Sequence, residues 1–127
     1  MKKEIIQTDQ APAAIGPYSQ AVRLDRLVFV SGQIPIDPGS GELITGNIRL
    51  QTRQVMNNLK AVLTAAGSSL DKVLKTTLYI THLQDFTQIN EVYGEFFTTH
   101  PPARACVEVS ALPKGVDIEV EAVAFCS

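Results

Sequence analysis

The densest set of residues capable of chemistry lies in Pro101-Pro102-Ala103-Arg104-Ala105-Cys106-Val107-Glu108-Val109. Side chains of a strand alternate between two faces, so Arg104, Cys106 and Glu108 are predicted to share one face. The two prolines hold Arg104 on a rigid backbone, and its planar guanidinium matches a carboxylate through two parallel hydrogen bonds. Arg104 therefore either binds an anionic substrate or forms an ion pair with Glu108 or Glu119, and its position favours neither alternative.

A second candidate is the acidic pair of Ile118-Glu119-Val120-Glu121, whose two carboxyl groups share one face of a predicted strand. Like charges at that spacing, where water is restricted, raise the pKa of one carboxyl toward the range that serves proton transfer. The alternative is a solvated strand edge, which the pair taken alone favours.

Three further residues are weaker candidates. Cys106 has no histidine at a spacing that would activate it, so we expect it to line a pocket rather than to act as a nucleophile. Gly32 follows an apolar strand, where its backbone N–H can approach a ligand beside the Ser31 hydroxyl. Tyr18 lies in a Gly-Pro-Tyr-Ser turn, and taken alone all of these segments are explained by turn chemistry and aromatic packing.

Composition narrows the class of protein. The chain has 127 residues, of which 45% are apolar and 19% charged, which predicts one folded domain over residues 1–127. With 11 Lys+Arg against 13 Asp+Glu and no basic stripe, it lacks the pattern of a nucleic-acid-binding surface. No apolar run approaches the roughly 20 residues that span a bilayer, which argues against a membrane protein.

Cysteine and histidine usage predicts neither a metal site nor a secreted protein. The two cysteines and two histidines have no zinc-type spacing, and no P-loop or dinucleotide-binding turn is present. We therefore expect no metal and no cofactor. The first residues do not resemble a signal peptide, which with the low cysteine content predicts a cytoplasmic location.

Hydrophobic periodicity places these residues on elements. Helical spacing predicts a helix over residues 47–66, with Asn47 as N-cap and Gly67 as stop. A second helix is predicted to begin at Asp85, with a capping box formed by Asp85 and Gln88, and to end before Pro101. Strand-like runs cover residues 20–24, 27–31, 73–81, 104–109 and 117–125. This order predicts an α+β domain with both helices on one face of a mixed sheet.

The strands are apolar on both faces. Val28 and Val30 alternate with Leu27 and Phe29, and the last strand carries Phe125 on the face opposite its buried residues. Two helices cover only one side of a sheet, so we expect a homo-oligomer that buries the other. The alternative is a few scattered apolar residues on a solvated sheet.

Six segments along the chain together form a recognisable pattern. They are Ile15-Gly16-Pro17-Tyr18-Ser19-Gln20, Ser31-Gly32-Gln33-Ile34-Pro35, Pro102-Ala103-Arg104, Cys106-Val107-Glu108-Val109, Leu112-Pro113 and Ile118-Glu119-Val120-Glu121-Ala122. In this order and at these intervals the segments resemble the Rid family, the reactive-intermediate deaminases also called YjgF/YER057c/UK114. The resemblance implies a chorismate-mutase-like α+β fold and a homotrimer with three ligand clefts at subunit interfaces. It also implies hydrolysis of 2-imino acids such as 2-iminobutanoate and 2-iminopropanoate to 2-oxo acids and ammonia.

By this resemblance Arg104 holds the substrate carboxylate and Glu119 orients the attacking water. The backbone at Gly32 and Cys106 helps to seat the ligand. The same cleft is lined by Tyr18, Ser31 and Asn90. The resemblance also leads us to expect Arg104 and Glu119 close together.

One departure from the family pattern is Ser110-Ala111, where many members carry an arginine before Leu-Pro; it touches no expected catalytic residue. A different class of function remains as the alternative. Some relatives are ligand sensors, chaperone-like trimers or translation inhibitors with ribonuclease activity. The acidic composition argues against a nucleic-acid role, and the presence of both Arg104 and Glu119 favours an enzyme over a pure binder.

Overall fold

A computed structural model describes residues 2–127 as one six-stranded mixed sheet with two helices packed on one face. The strand order is β1-β2-β3-β6-β4-β5, and every neighbouring pair is antiparallel except β4 and β5. Helix α2 makes the crossover that the parallel pair requires. The elements are β1 (Lys3–Ile6), β2 (Ala21–Leu24), β3 (Leu27–Gln33), α1 (Ile48–Ala65), β4 (Val73–Ile80), α2 (Phe86–Phe96), β5 (Ala103–Glu108) and β6 (Ile118–Phe125).

Helix α1 forms where its apolar stripe predicts it. The side chain of Asn47 accepts a hydrogen bond from the Leu50 N–H at 3.1 Å, which satisfies one of the free N–H groups of the first turn. Gly67 adopts φ +81° just past the last turn, the left-handed conformation that ends many helices. The core between α1 and the sheet includes Val28, Val55, Leu59, Leu63, Val120 and Ala124, each fully buried.

Helix α2 starts differently from the expected capping box. A short 3₁₀ turn, Leu83–Asp85, leads into it, and Asp85 has helical angles of φ −81° and ψ −4°. A capping side chain reaches back to the helix N–H groups from an extended backbone, so this conformation prevents Asp85 from capping. Its side chain makes no capping hydrogen bond, and the predicted box with Gln88 is wrong.

The hairpin between β2 and β3 turns at Asp25-Arg26, the two residues between the predicted strand runs 20–24 and 27–31, although no glycine marks the turn. Asp25 takes φ +55°, a conformation that aspartate tolerates better than most residues because its short polar side chain bonds locally. Leu24 and Leu27 pair directly across the turn.

The face of the sheet opposite the helices carries the expected apolar residues. Leu27 is 42% exposed, Phe29 46% and Phe125 37%, while Val28 and Ala124 on the helix side are fully buried. This confirms that both faces are apolar; the homotrimer expected from it stays a prediction. Within residues 2–127, no helix is both long enough and apolar enough to cross a bilayer.

Candidate active site

Glu119 lies directly against Gly32 on the sheet face opposite the helices. A β-carbon built at Gly32 would lie 1.9 Å from Glu119 Oε2 and 2.8 Å from its carboxyl carbon. The carboxylate therefore occupies the space that any other residue at position 32 would fill. Gly32 is required for this close approach, which a register shift between Val30 and Gln33 on β3 accompanies.

This contact forms part of the wall of a cavity of about 520 Å³. Four residues predicted from sequence meet there: Tyr18, Ser31, Gly32 and Glu119. Most of the other lining side chains are apolar, and Lys114 brings a positive charge. The other lining residues are Pro12, Ala13, Ile15, Gln20, Gln33, Ile34, Ile36, Pro113 and Lys114.

Buried amides hold the loops around this cavity. The Gln20 side chain is 3% exposed; its Oε1 accepts from the Thr8 N–H at 2.7 Å and its Nε2 donates to Pro12 O at 2.8 Å. Ser31 Oγ donates to Ser19 O at 2.6 Å, which ties the Tyr18 loop to β3. Each of these contacts satisfies a backbone group of the segment that precedes β2. The loop that carries Tyr18 is therefore held in place before any ligand binds.

The opposite wall is held from helix α1. Asn58, 1% exposed, donates through Nδ2 to Ile34 O at 3.1 Å and to Ile36 O at 2.9 Å. Its Oδ1 accepts from Gln54 Nε2 at 2.9 Å, which fixes the orientation of the amide. The apolar side chains that line this part of the cavity therefore sit on backbone anchored to the core.

The surroundings of the Glu119 carboxyl raise its pKa. Burial raises its pKa above the ordinary range, and the negative charge of Glu121 raises it further. This is the pattern that the sequence predicts for the acidic pair, so the interpretation as a solvated edge is wrong. A carboxyl with a raised pKa is a stronger base once ionised, which suits it to accept a proton from water.

Arg104 belongs to a second cluster, between β5 and α2. Its Nη1 donates to Asn90 Oδ1 at 2.7 Å, and its guanidinium carbon lies 5.3 Å from the Phe86 ring centroid and 5.0 Å from that of Tyr93. These contacts orient the guanidinium while leaving it solvent-exposed. Among residues 2–127 it forms no ion pair, and Glu108 instead accepts from the Leu83 N–H.

Cys106 lies beside Arg104 on the same face of β5, half-buried against the core. Burial raises the pKa of its thiol, and the Arg104 charge only partly opposes this. The thiol therefore stays protonated near neutral pH and is a poor nucleophile, as expected from the sequence.

Strand register shows that the two clusters lie on opposite faces of the sheet. Arg104 pairs with Thr76 and Glu119 pairs with Tyr79 on the intervening strand β4. Paired residues on neighbouring strands point to the same face of the sheet, and successive residues of one strand alternate between the two faces. Thr76 and Tyr79 are three positions apart on β4, so they point to opposite faces. Within one chain Arg104 and Glu119 therefore lie apart, and their proximity in a cleft between subunits stays a prediction.

Several residues at these sites were not found by sequence reasoning. Phe86 and Tyr93 lie on the second helix predicted from sequence, but their contact with Arg104 depends on how α2 packs beside β5. Tyr93 is further anchored by a 2.7 Å hydrogen bond to buried Thr76. Lys114 adopts φ +59° beside Gly115, and no local pattern marks it as part of a cavity.

Comparison with known proteins extends over the whole chain. A family model described as Endoribonuclease L-PSP matches residues 8–126. The chain is 54% identical over 123 residues to the RutC family protein PH0854 of Pyrococcus horikoshii, covering 97% of this chain and 98% of that protein. It is 47% identical over 123 residues to the 2-iminobutanoate/2-iminopropanoate deaminase of Homo sapiens, covering 97% and 90%.

A solved structure supports the same relationship. The crystal structure of E. coli TdcF with bound serine superimposes with a TM-score of 0.94 at 47% sequence identity, covering 98% of this chain and 99% of that one. The resemblance first suggested by short motifs thus extends to the complete fold. The chain belongs to the Endoribonuclease L-PSP family, which is also known as the Rid family.

Proposed function

We propose that this protein hydrolyses reactive 2-imino acids, including 2-iminobutanoate and 2-iminopropanoate, to 2-oxo acids and ammonia. The observation that carries the proposal is the Glu119 carboxyl, held against Gly32 with a raised pKa at the wall of a largely apolar cavity. The human relative that carries this activity in its name and the relative with bound serine support a small substrate with a carboxylate.

The chemistry requires few groups because the C2 carbon of a protonated imine is already electrophilic. Glu119 accepts a proton from water as the water oxygen bonds to C2, which gives a carbinolamine. The same proton then moves to the amine nitrogen, and the C–N bond breaks with its electrons on nitrogen as the carbinolamine O–H gives its proton to Glu119. Glu119 passes this proton to the departing ammonia, so the oxo acid and ammonium remain and Glu119 returns to its ionised starting state.

Arg104 supplies the other half of the proposed site. Its guanidinium offers two parallel donors to the substrate carboxylate, and the rings of Phe86 and Tyr93 limit its movement. Since Arg104 and Glu119 lie on opposite faces of one sheet, we propose that the complete cleft takes one residue from each of two neighbouring subunits. A homotrimer provides three such clefts and covers the apolar face that carries Phe29 and Phe125.

The proposed activity is tested by generating 2-iminobutanoate with a threonine dehydratase and following release of 2-oxobutanoate with and without this protein. We expect release to be faster when the protein is present. Saturable binding of 2-oxobutanoate with an unchanged imine lifetime would instead identify a non-catalytic binding protein. Degradation of RNA by the same preparation, with no effect on the imine, would favour the ribonuclease alternative.

Replacing Gly32 with alanine is expected to lower kcat/KM about tenfold, because the carboxylate of Glu119 must leave its position. An alanine β-carbon at position 32 would overlap the Glu119 carboxylate, and the carboxylate is the mobile partner. The matched control is Gly94→Ala on α2, where an added β-carbon meets nothing within 4 Å. Equal activity of the two variants in the imine assay would show that the position of Glu119 does not matter.

A further inference from the structure

Tyr79 connects the two acids of β6 to strand β4. Its backbone pairs directly with Glu119, and its side chain crosses diagonally so that the phenol O–H donates to Glu121 Oε1. A diagonal contact of this kind is within the reach of an aromatic side chain on an antiparallel pair. All three side chains therefore lie on the sheet face opposite the helices, where Glu119 also lines the cavity.

The two acids consequently differ in environment. The Glu121 carboxylate accepts a hydrogen bond from a phenol, which stabilises its charged form. Among residues 2–127 the Glu119 side chain accepts no hydrogen bond, and it is packed against Gly32. Of two neighbouring carboxyls, the one without a donor is the one that holds a proton more readily.

We propose that Tyr79 and Glu121 form a positioning pair for Glu119: Tyr79 keeps Glu121 ionised, and the fixed charge of Glu121 places the exchangeable proton on Glu119. Neither member of the pair gains or loses a proton during the reaction. This inference rests on the proposed role of Glu119 as the base.

The pKa of Tyr79 agrees with this assignment. Its hydrogen bond to Glu121 raises that pKa, so the phenol keeps the proton that it donates. The other titratable groups on this side of the sheet are Lys75 on β4, which pairs with Val123, Lys3 on the distant strand β1, and Lys114 and Tyr18 at the cavity. Strands β3 and β5 contribute Phe29, Ser31, Ala105 and Val107 to this face, none of which is charged at neutral pH.

The test separates charge from hydrogen bonding with two isosteric variants. Glu121→Gln removes the charge and keeps an acceptor for Tyr79, whereas Tyr79→Phe removes the donor and keeps the ring. The carboxyl carbons are followed by NMR during a pH titration of protein labelled with ¹³C at glutamate, and the pH dependence of kcat/KM is measured in parallel. Glu4→Gln, a change of equal charge on the exposed strand β1, is the control.

In the unmodified protein we expect Glu119 to titrate above the ordinary range of a glutamate. In Glu121→Gln the Glu119 midpoint moves to lower pH, the acid limb of the rate profile moves with it, and kcat/KM at neutral pH falls about three- to tenfold because the base is weaker. In Tyr79→Phe the Glu119 midpoint also moves to lower pH, by a smaller amount. Glu4→Gln leaves the Glu119 midpoint unchanged.

A Glu119 midpoint that stays in place in both variants, or one within the ordinary range of a glutamate in the unmodified protein, would overturn the proposal. A merely structural role for Tyr79 would lower stability without moving the Glu119 midpoint. If the NMR midpoints move as expected while imine hydrolysis is absent from all proteins, the arrangement is correct and the proposed function is wrong.

Discussion

Replacing Arg104 with alanine is expected to lower kcat/KM for imine hydrolysis by about 10²-fold or more while the protein remains folded. The reason is positional: without the guanidinium, the carboxylate of the substrate has no bidentate partner and C2 is no longer held beside the attacking water. Arg104 is exposed and outside the core, so its removal leaves the packing of α2 on the sheet in place. The measurement is the coupled imine assay, with circular dichroism to verify folding.

Two further variants make this result specific. Arg104→Lys keeps the charge but loses the planar fork and its stacking between Phe86 and Tyr93, so its activity should fall between those of the unmodified protein and the alanine variant. Arg49→Ala removes an arginine from a surface ion pair with Glu91 and should leave hydrolysis unchanged. Full activity of Arg104→Ala would show that the carboxylate binds elsewhere.

Much of the fold could be predicted because local patterns and packing agree. The stripe on α1 follows the helical repeat, the Asn47 cap and the Gly67 stop each depend only on nearby residues, and the structure has all three. The start of α2 could not be predicted in this way. Asp85 has the right residue type for a cap, but the preceding 3₁₀ turn sets its backbone angles, and a residue pattern does not reveal them.

The candidate site shows the same division between local and long-range information. Arg104, Glu119 and Gly32 could each be selected from residue type and neighbours, because rigid backbone, paired acids and a glycine after a strand have chemical meaning. Their relative placement depends on which strands pair, and at what register. One strand, β4, lies between Arg104 on β5 and Glu119 on β6, and the residues of β4 that pair with them are three positions apart.

The contact between Gly32 and Glu119 is a further case. A glycine in a strand indicates that something approaches closely, but not which group does so. Here that group belongs to the neighbouring strand, and it is a carboxylate. The aromatic residues around Arg104 lie on the predicted second helix. Only the packing of α2 beside β5 brings their rings against the guanidinium.

Replacing Glu119 with glutamine is expected to lower kcat about 10²-fold, while the affinity for 2-oxobutanoate changes little. The amide keeps the shape of the side chain beside Gly32 but accepts no proton. In the unmodified protein kcat/KM should fall as pH drops through the raised pKa of Glu119, since the base must be ionised. That acid limb should disappear in Glu119→Gln, whereas Glu4→Gln should retain it.

The same substitution should stabilise the protein at neutral pH. A carboxyl whose pKa is raised on folding binds more protons in the folded state, so stability falls as pH rises from the unfolded pKa through the folded one. Glu119→Gln has no carboxyl at this position, so it does not lose stability in this way as pH rises. Its melting temperature should therefore exceed that of the unmodified protein at neutral pH, and the difference should vanish in acid. Lower stability at neutral pH would contradict the raised pKa.

Mixing the two inactive variants tests where the cleft forms. If Arg104 of one subunit works with Glu119 of its neighbour, co-refolded Arg104→Ala and Glu119→Gln chains should regain activity, with about a quarter of the clefts holding both native residues. A site within one chain would regain none, because every chain lacks one of the two groups. Arg104 and Glu119 lie on opposite faces of the sheet within one chain. Both can therefore contact one small imino acid only if they come from two different subunits.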